Sequence, residues 1–381
     1  MAEGQPATGH ASLTIINSGQ PIARLAIDRS QLTVQHRNGN RNIATPSIDE
    51  LSITAVHLNN AIALPFARAL SLVRRLVVLD LRWCWITDLG AVTISRGLVA
   101  AMGARGSALR SLDLSGNIIG PTGAGAVADV LRACGESLHE FSISHNKIGD
   151  AGVEAVVDAL PGCPNMRVLD MDVNRIGDRG IKSLGRGLLR GGGTLEELRI
   201  STSFGRPCRL TPDGVAPFAQ WLGRTQRLRV LRMNDYQELN SEAAATLFSG
   251  LAENRSLRAL ELRRNGIVGK TVDRLVDALQ RNAALEALYL EGNMIALVGS
   301  IKIRRALNGK DRAMRDLRLE YPPVREQRRK KHGSRWLRAL GWSGAFLFGI
   351  IAFNKHREQC ELVNILSDHL YLREQEARRR Y

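Results

Sequence analysis

The chain has 381 residues and a formal net charge of +16, a balance that favours acidic proteins, anionic lipid or nucleic acid as neighbours. Its aromatic content of 5% argues against recognition of nucleic acid by base stacking. The five cysteines are scattered without a Cys-x-x-Cys pair, so neither a disulfide framework nor a zinc site is expected, and an intracellular, cytoplasmic location fits.

Residues 1–47 are predicted to form an N-terminal cap. Residues 13–15 (Leu-Thr-Ile) and 25–27 (Leu-Ala-Ile) place a large apolar side chain at every second position, as short strands do. The stretch has no basic start followed by an apolar run, so no secretory signal is apparent. We expect these strands to shield the apolar side of the first repeat, which no preceding repeat covers.

Residues 48–321 contain ten copies of one phrase, whose clearest copy reads Leu109-x-x-Leu112-x-Leu114-x-x-Asn117-x-Ile119. Leucines at positions 4 and 6 alternate as in a strand, and the following residues switch to the spacing of an amphipathic helix. Intervals of 28 to 33 residues are typical of a solenoid, whose units bury their apolar faces by stacking. The copies begin at Ile48, Leu76, Leu109, Leu138, Met166, Leu195, Leu228, Leu257, Leu285 and Met314.

Position 9 of the phrase explains the turn after each strand. An asparagine there can hydrogen-bond backbone groups that the turn would otherwise leave unpaired, so stacked asparagines would form a ladder. We expect Ser203 and Tyr236 to interrupt this ladder in two adjacent units. The predicted turn ladder comprises Cys84, Asn117, Asn146, Asn174, Asn265 and Asn293.

The period and two Asn-x-Ile-Gly-Asp-x-Gly passages, Asn146 to Gly152 and Asn174 to Gly180, resemble the ribonuclease-inhibitor-type leucine-rich repeats. The resemblance covers most of the chain and implies an α/β solenoid, a horseshoe with a parallel inner sheet and outer helices. Proteins with such repeats include ribonuclease inhibitors, activators of the Ran GTPase, actin cappers and innate immune receptors. A shared fold transfers none of these functions.

Position 5 of each strand is predicted to point into the hollow of the horseshoe, with position 7 beside it. Position 5 is acidic or hydroxylated in the first half of the array and mostly basic, with one aromatic, in the second. Opposite charge at the two ends favours a dipolar protein partner over a polyanion; a solvated face without a partner is the alternative. The predicted partner-binding residues are Asp80, Arg82, Trp83, Asp113, Asp170, Asp172, Arg199, Arg232, Arg263, Tyr289 and Arg318.

A second recognition element is expected where the ladder fails. The stretch from Phe204 to Arg209 interrupts the turn, so we expect it to bulge from the rim and present Phe204, Arg206 and Arg209. Elsewhere no serine, cysteine or histidine stands at a catalytic spacing, and no phosphate-binding loop appears. Neither an enzyme nor a bound cofactor or metal is predicted.

Three further segments follow the repeats: a basic linker at 322–338, an apolar helix at 339–353 and a charged helix at 354–381. Fifteen helical residues reach about 22 Å, short of the roughly 30 Å hydrocarbon core of a bilayer. Residues 339–353 are therefore interpreted either as a membrane anchor, for example in the mitochondrial outer membrane, or as a buried helix that caps the solenoid or docks into a larger assembly. A helix lying on a membrane surface is disfavoured.

These patterns predict a non-catalytic scaffold that binds a protein on its concave face, with the segment 325–357 contacting a membrane or a large assembly. Two alternatives stay open. One is an activator of a small GTPase, although the acidic tail typical of Ran activators is replaced here by a basic one. The other is a component of a ribonucleoprotein, and nucleic acid is the less favoured partner.

Overall fold

In a computed structural model of the protein, the described residues are 12–17, 20–21, 24–28, 31–35, 50–54, 58, 63–64, 66–68, 70, 76–103, 108–202, 208–236, 238–239, 241–308 and 316–319. The predicted segments 322–338, 339–353 and 354–381 lie outside this part of the chain, as do Phe204 and Arg206 of the predicted rim loop.

Four strands precede the repeats: β1 (Ser12–Asn17), β2 (Gln20–Pro21), β3 (Arg24–Asp28) and β4 (Gln31–Gln35). The strands expected around residues 13–15 and 25–27 are thus both present. Strand β1 pairs antiparallel with β5 (Glu50–Thr54), the first strand of the repeats, while β3 and β4 pair with each other. The first repeat strand therefore has a partner on its outer edge, which would otherwise be open to pairing with another chain.

The phrase of each repeat forms a short strand, and these strands lie side by side in one sheet. Strand β5 is followed by β6 (Val78–Asp80), β7 (Ser111–Asp113), β8 (Glu140–Ser142), β9 (Val168–Asp170), β10 (Glu197–Arg199), β12 (Val230–Arg232), β14 (Ala259–Glu261), β15 (Ala287–Tyr289) and β16 (Asp316–Arg318). All ten run parallel. Two further strands, β11 (Arg209–Leu210) and β13 (Glu238–Leu239), form a separate parallel pair.

The register of the sheet follows the phrase. Position 4 of each unit pairs with position 4 of the next, in the order Leu51, Leu79, Leu112, Phe141, Leu169, Leu198, Leu231, Leu260, Leu288 and Leu317. These side chains face the core, so positions 3, 5 and 7 face the opposite side by the two-residue period of a strand. We call that side the inner face.

In the eight repeats whose inner strands run from β6 to β15, a helix follows the strand and forms the outer layer. The helices are α1 (Asp88–Gly103), α2 (Pro121–Cys134), α3 (Gly149–Ala159), α4 (Asp178–Gly191), α5 (Pro212–Arg224), α6 (Ser241–Glu253), α7 (Gly269–Arg281) and α8 (Leu297–Asn308). Consecutive helices pack on one another, and one apolar core extends between the two layers from Leu51 to Leu307. The predicted parallel inner sheet with outer helices is confirmed.

Aspartates link the outer helices from one repeat to the next. Oδ1 of Asp88 accepts hydrogen bonds from the backbone N–H groups of Gly120 (2.7 Å) and Gly123 (2.8 Å) at the start of α2. Asp150 accepts in the same way from Gly177 at 2.6 Å, just before α4. A carboxylate satisfies unpaired N–H groups at a helix N-terminus and is favoured there by the helix dipole. The aspartate that lies two residues after the isoleucine at position 11 thus holds neighbouring repeats together.

Candidate functional site

Asparagines at position 9 hold the turns that border the inner face. Oδ1 of Asn117 accepts hydrogen bonds from the N–H groups of Cys84 and Ile86 at 3.0 Å, and its Nδ2 donates to the carbonyls of Leu81 (2.9 Å) and Leu114 (2.8 Å). Comparable bonds to the preceding repeat are made by Asn146, Asn174, Asn265 and Asn293. Because these bonds satisfy buried backbone groups across repeats, they fix the spacing of the turns.

Tyr236 stands where the ladder was expected to be interrupted, and in one respect that expectation is wrong. Its buried hydroxyl donates to the carbonyl of Ile200 at 2.6 Å. This carbonyl is the sixth residue of the preceding phrase, the one that an asparagine amide reaches in other repeats. Burial raises the pKa of the hydroxyl well above its ordinary value, so it remains a donor. Ser203, the other expected interruption, is not among the described residues.

Aromatic side chains border the inner face at the second repeat. Trp83 adopts a left-handed backbone with φ 58°, and its ring lies across Gly116, where any Cβ would overlap the ring. The ring centroids of Trp83 and His145 are 5.8 Å apart. Trp83 is partly buried, whereas Trp85 is 49% exposed. The rim of β6 and β7 therefore presents apolar ring surface beside the carboxylates of those strands.

The first group of carboxylates lies on β6 and β7. Asp80 forms an ion pair with Arg82 at 2.7 Å, and Nε of Arg82 lies 3.5 Å from Asp113. Asp113 also accepts a hydrogen bond from the hydroxyl of Ser115, whose oxygen is 2.6 Å from that of Ser142. Burial raises the pKa of Asp113, because the hydrogen bonds from Ser115 and the charge of Arg82 offset only part of its desolvation.

The second group lies at β9 and β10. Arg199 forms ion pairs with Asp170 at 3.1 Å and with Glu197 at 2.6 Å. Asp172 accepts a hydrogen bond from the backbone N–H of Ser201 at 2.5 Å. Burial, and to a smaller extent the charge of Asp170, raise the pKa of Asp172 to about 7. The inner face thus contains a carboxyl group that binds a proton near neutral pH.

The Asp172→Asn variant is expected to lose part of the pH dependence of stability. The pKa of Asp172 lies near 3.8 when unperturbed and about 7 when folded, so the folded state binds more protons between these values. Its contribution to stability is therefore greatest at low pH and falls as pH rises toward 7. We expect Tm, measured at about pH 5 and about pH 8, to fall less in Asp172→Asn than in the wild type.

An exposed carboxylate on the neighbouring strand β8 provides the control. Glu140→Gln removes one negative charge from the same face and is expected to retain the wild-type dependence of Tm on pH. Asparagine retains an oxygen that can accept the hydrogen bond from Ser201, so the variant tests the proton rather than the contact. If Asp172→Asn and Glu140→Gln showed the same profile, the raised pKa of Asp172 would be wrong.

The arginines of the second half are held by carboxylates. Arg232 forms an ion pair with Glu261 at 3.0 Å, and Arg263 forms two, with Glu261 at 2.5 Å and with Glu291 at 2.9 Å. Each of these glutamates lies on the same or the neighbouring repeat. Carboxylates of the inner face therefore compensate the positive charge of these guanidinium groups.

An open hollow of about 350 Å³ occupies this half of the face. The Tyr289 ring forms part of its wall, with the guanidinium of Arg263 4.8 Å and that of Arg318 5.6 Å from the ring centroid. The hollow is lined by Asp172, Arg232, Asn234, Glu261, Arg263, Tyr289 and Arg318. The structure therefore brings four predicted partner-binding residues of the second half together with Asp172 of the first half.

The expected opposition of an acidic and a basic end needs correction. Over β6 to β9, positions 3, 5 and 7 carry five carboxylates and one arginine, whereas over β10 to β15 they carry three of each. The second half is therefore balanced rather than basic. Glu197, at position 3, was outside the predicted set, although the two-residue period of a strand places it beside Arg199. The unbalanced charge of the described inner face is acidic.

The rim loop is described only in part. Arg209 is exposed, but it lies in the short strand β11, which pairs with β13, and the next residue, Leu210, is buried. Its predicted place in a bulging loop is therefore wrong, because pairing between two neighbouring repeats fixes its backbone. The structure does not address the predicted roles of Phe204 and Arg206.

Within the described residues, no helix is long and apolar enough to cross a membrane, and no three His, Cys, Asp or Glu side chains are placed to hold a metal ion. Cys84, at the ladder position of the second repeat, is buried, and its thiol donates to the carbonyl of Arg82 at 3.4 Å. Cys134 and Cys163 are buried as well, and burial raises the pKa of their thiols to about 12 and about 11. These thiols are therefore protonated at neutral pH and have little nucleophilic character.

Comparisons with known proteins agree with this architecture. A sequence profile described as Leucine Rich repeat matches residues 75–95, 108–128, 136–157 and 162–185. A ribonuclease inhibitor from Sus scrofa is 29% identical over 137 residues, which make up 36% of this chain and 29% of the inhibitor. Residues 75–185 thus contain leucine-rich repeats that are similar to those of a ribonuclease inhibitor, in agreement with the resemblance, and the predicted fold class is confirmed.

Two solved structures are similar over a larger share of the chain. A Rad7–Elc1 complex from yeast matches at 13% identity over 63% of this chain and 75% of that chain, with a TM-score of 0.29. An internalin, InlF, from Listeria monocytogenes matches at 13% identity over 71% of this chain and 86% of that chain, with a TM-score of 0.30.

Proposed function

We propose that this protein is a non-catalytic scaffold that binds a protein on the acidic part of its inner face, strands β6 to β9. The observation that carries the proposal is the excess of carboxylates there, including Asp113 and Asp172, whose pKa values burial raises. A cation brought by a partner would stabilise the ionised form of both groups. The partner is therefore expected to present lysine or arginine side chains.

Shape and rim chemistry support a protein as the ligand. Ten parallel strands offer a long open surface, and protein interfaces favour aromatic anchors and arginine. Trp83 and Trp85 border the carboxylates of β6 and β7. The matched relative is named as an inhibitor of ribonuclease, a role directed at another protein, although the match covers only 29% of its length.

The two alternatives receive less support. An arginine supplied to a GTPase must be able to reach the phosphates, yet Arg82, Arg199, Arg232 and Arg263 form ion pairs with carboxylates of the inner face. RNA or another polyanion would meet five carboxylates on β6 to β9, which repel phosphate. A contact between RNA and the basic residues after 322 stays a prediction, as do the membrane or assembly contact of 325–357 and the cytoplasmic location.

Site-directed photo-cross-linking in cells tests the proposed face. We expect a photo-reactive amino acid at Ser111 of β7 to yield protein adducts that the same amino acid at Ala151, exposed on outer helix α3, does not. Adding Asp113→Asn and Glu140→Gln removes two charges with little change in side-chain volume. We expect this double substitution to lower the yield of the Ser111 adduct by roughly tenfold, which corresponds to a loss of about 1.4 kcal/mol, near the lower end of what close charge pairs contribute at an interface.

Two outcomes would reject the proposed face. Equal adducts from Ser111 and Ala151 would place binding elsewhere, and an adduct yield insensitive to Asp113→Asn with Glu140→Gln would exclude recognition by these charges. The thermal unfolding of each variant must match the wild type for the comparison to hold. Raising the salt concentration should reduce the Ser111 adduct more than any adduct at Ala151, because exposed charge pairs are screened.

A further inference from the structure

The beginning of α8 and the turn before it expose apolar side chains to solvent. Leu297 is 77% exposed, Val298 64% and Ile301 41%, and Met294 in the preceding turn is 68% exposed. Single exposed apolar residues are ordinary on protein surfaces, but four within eight residues form a patch. Exposed apolar patches mark surfaces that contact protein, membrane or ligand.

The repeats themselves show that these positions normally face water. Val298 and Ile301 are the fourteenth and seventeenth residues of the unit that begins at Leu285. The same places hold Lys270 and Asp273 in the preceding unit, and Arg179 and Lys182 in the unit from Met166. Lys270, Asp273 and Arg179 are exposed, and Asp273 forms an ion pair with Lys302 of α8 at 2.6 Å. Val298 and Ile301 therefore stand where the units from Met166 and Leu257 hold charged residues, although the unit from Leu76 also has an exposed apolar residue, Leu89, at the first of these places.

The chain supplies an occupant of matching chemistry. Residues 339–353 contain no charge and include Trp342, Phe346, Phe348 and Phe353. This segment begins 20 residues after Leu319, which is the last described residue. Leu319 comes directly after β16, and β16 belongs to the repeat that follows the one containing α8. Twenty residues span at most about 65 Å when extended, whereas sheet and helix layers are about 10 Å apart. The connection is long enough to bring the segment back to α8.

We propose that residues 339–353 dock on the apolar patch formed by Met294, Leu297, Val298 and Ile301. The twelve residues of α8 extend about 18 Å, similar to the roughly 22 Å of a fifteen-residue helix. A tethered segment meets its site at an effective concentration near the millimolar range, which favours this contact over one with a second copy. The segment is also too short to span a bilayer core of about 30 Å. This docking does not depend on the function proposed for the inner face.

Disulfide scanning in the full-length chain tests the contact. In a background carrying Cys208→Ser and Cys360→Ser, Val298→Cys is combined in turn with Phe346→Cys, Phe348→Cys, Ile350→Cys or Phe353→Cys. Mild oxidation is expected to give an intramolecular disulfide with at least one of the four, seen as a faster-migrating monomer on a non-reducing gel. Arg179→Cys, at the equivalent exposed position four repeats earlier, is the matched control and should give none.

A second variant asks whether the patch itself carries the contact. Val298 provides the cysteine, so Leu297→Lys with Ile301→Asp makes the remaining surface charged, and the disulfide yield should fall at least several-fold. Disulfide-linked dimers in place of the intramolecular product would assign the patch to a second copy and overturn the proposal. So would flotation of the protein with phosphatidylcholine–phosphatidylserine vesicles without any intramolecular disulfide. Absence of the intramolecular disulfide at all four positions would overturn it as well.

Discussion

The Asn146→Ala variant is expected to lower the free energy of unfolding by about 3 kcal/mol or more, because it leaves several buried backbone groups without partners. Oδ1 of Asn146 accepts from the N–H of Ile119 at 2.9 Å, and its Nδ2 donates to the carbonyls of Leu114 (2.9 Å) and Ile143 (3.0 Å). Alanine makes none of these bonds. Urea unfolding followed by far-ultraviolet circular dichroism measures the loss.

A second asparagine in the same region provides the control. Asn165 is exposed and donates one hydrogen bond, to the carbonyl of Glu136 at 2.7 Å. Asn165→Ala removes the same side-chain atoms and is expected to change the free energy of unfolding by less than about 0.5 kcal/mol. If the two variants were equally stable, the ladder would contribute nothing beyond ordinary surface hydrogen bonding. The ladder also bears on the inner face, because Asn146 joins the repeat that carries Asp113 to the repeat that carries Glu140.

The sequence predicts the sheet because one short phrase determines both its strands and their register. Leucines at positions 4 and 6 require one face of a strand to be buried, and a slip by one residue would expose them. Repetition of the phrase places Leu112 beside Phe141, and Phe141 beside Leu169, without any further information. The asparagine after the strand indicates a turn that needs internal hydrogen bonds, and Asn117 makes them.

The parts that could not be predicted are those in which a side chain reaches across repeats. The phenol of Tyr236 replaces an asparagine only because Ile200 in the preceding unit presents its carbonyl at the right distance. Asn254 and Asn282, which end α6 and α7, are wholly buried and donate to the carbonyls of Leu222 and Leu251, forming a second set of links. Neither follows from a local pattern, because each depends on the spacing between helices.

The net charge of the inner face is a second property that the sequence did not predict, because it depends on contacts between side chains. Arg199 and Arg232 appear in the sequence as basic residues of one row, and that row predicts a basic surface. In the structure each is paired with a carboxylate, Arg199 with Asp170 and Arg232 with Glu261. The row is visible in the sequence, whereas the pairing depends on side-chain conformation. Substitution of either arginine would therefore release a carboxylate and disturb the face as well as any partner contact.

The Gly250→Ala variant is expected to lower the free energy of unfolding by about 2 kcal/mol, because the added methyl group overlaps a neighbouring backbone. A Cβ at Gly250 of α6 would meet the carbonyl group of Ala219 in α5, and backbone cannot move aside as a flexible side chain can. Gly125→Ala in α2 is the matched control, because nothing lies within 4 Å of its Cβ position. There alanine is expected to stabilise the protein by about 0.5–1 kcal/mol.

Opposite signs for the two substitutions would show that close approach of the outer helices, and not helix propensity, determines the response. The consequence reaches the inner face, because the curvature of the solenoid depends on the spacing of helices relative to the spacing of strands. Forcing α5 and α6 apart widens the outer layer between the units that carry Arg199 and Arg232, and so moves their side chains relative to each other. If urea unfolding showed that both variants shift stability in the same direction, helix spacing would not limit the fold and this link between glycine and surface shape would be wrong.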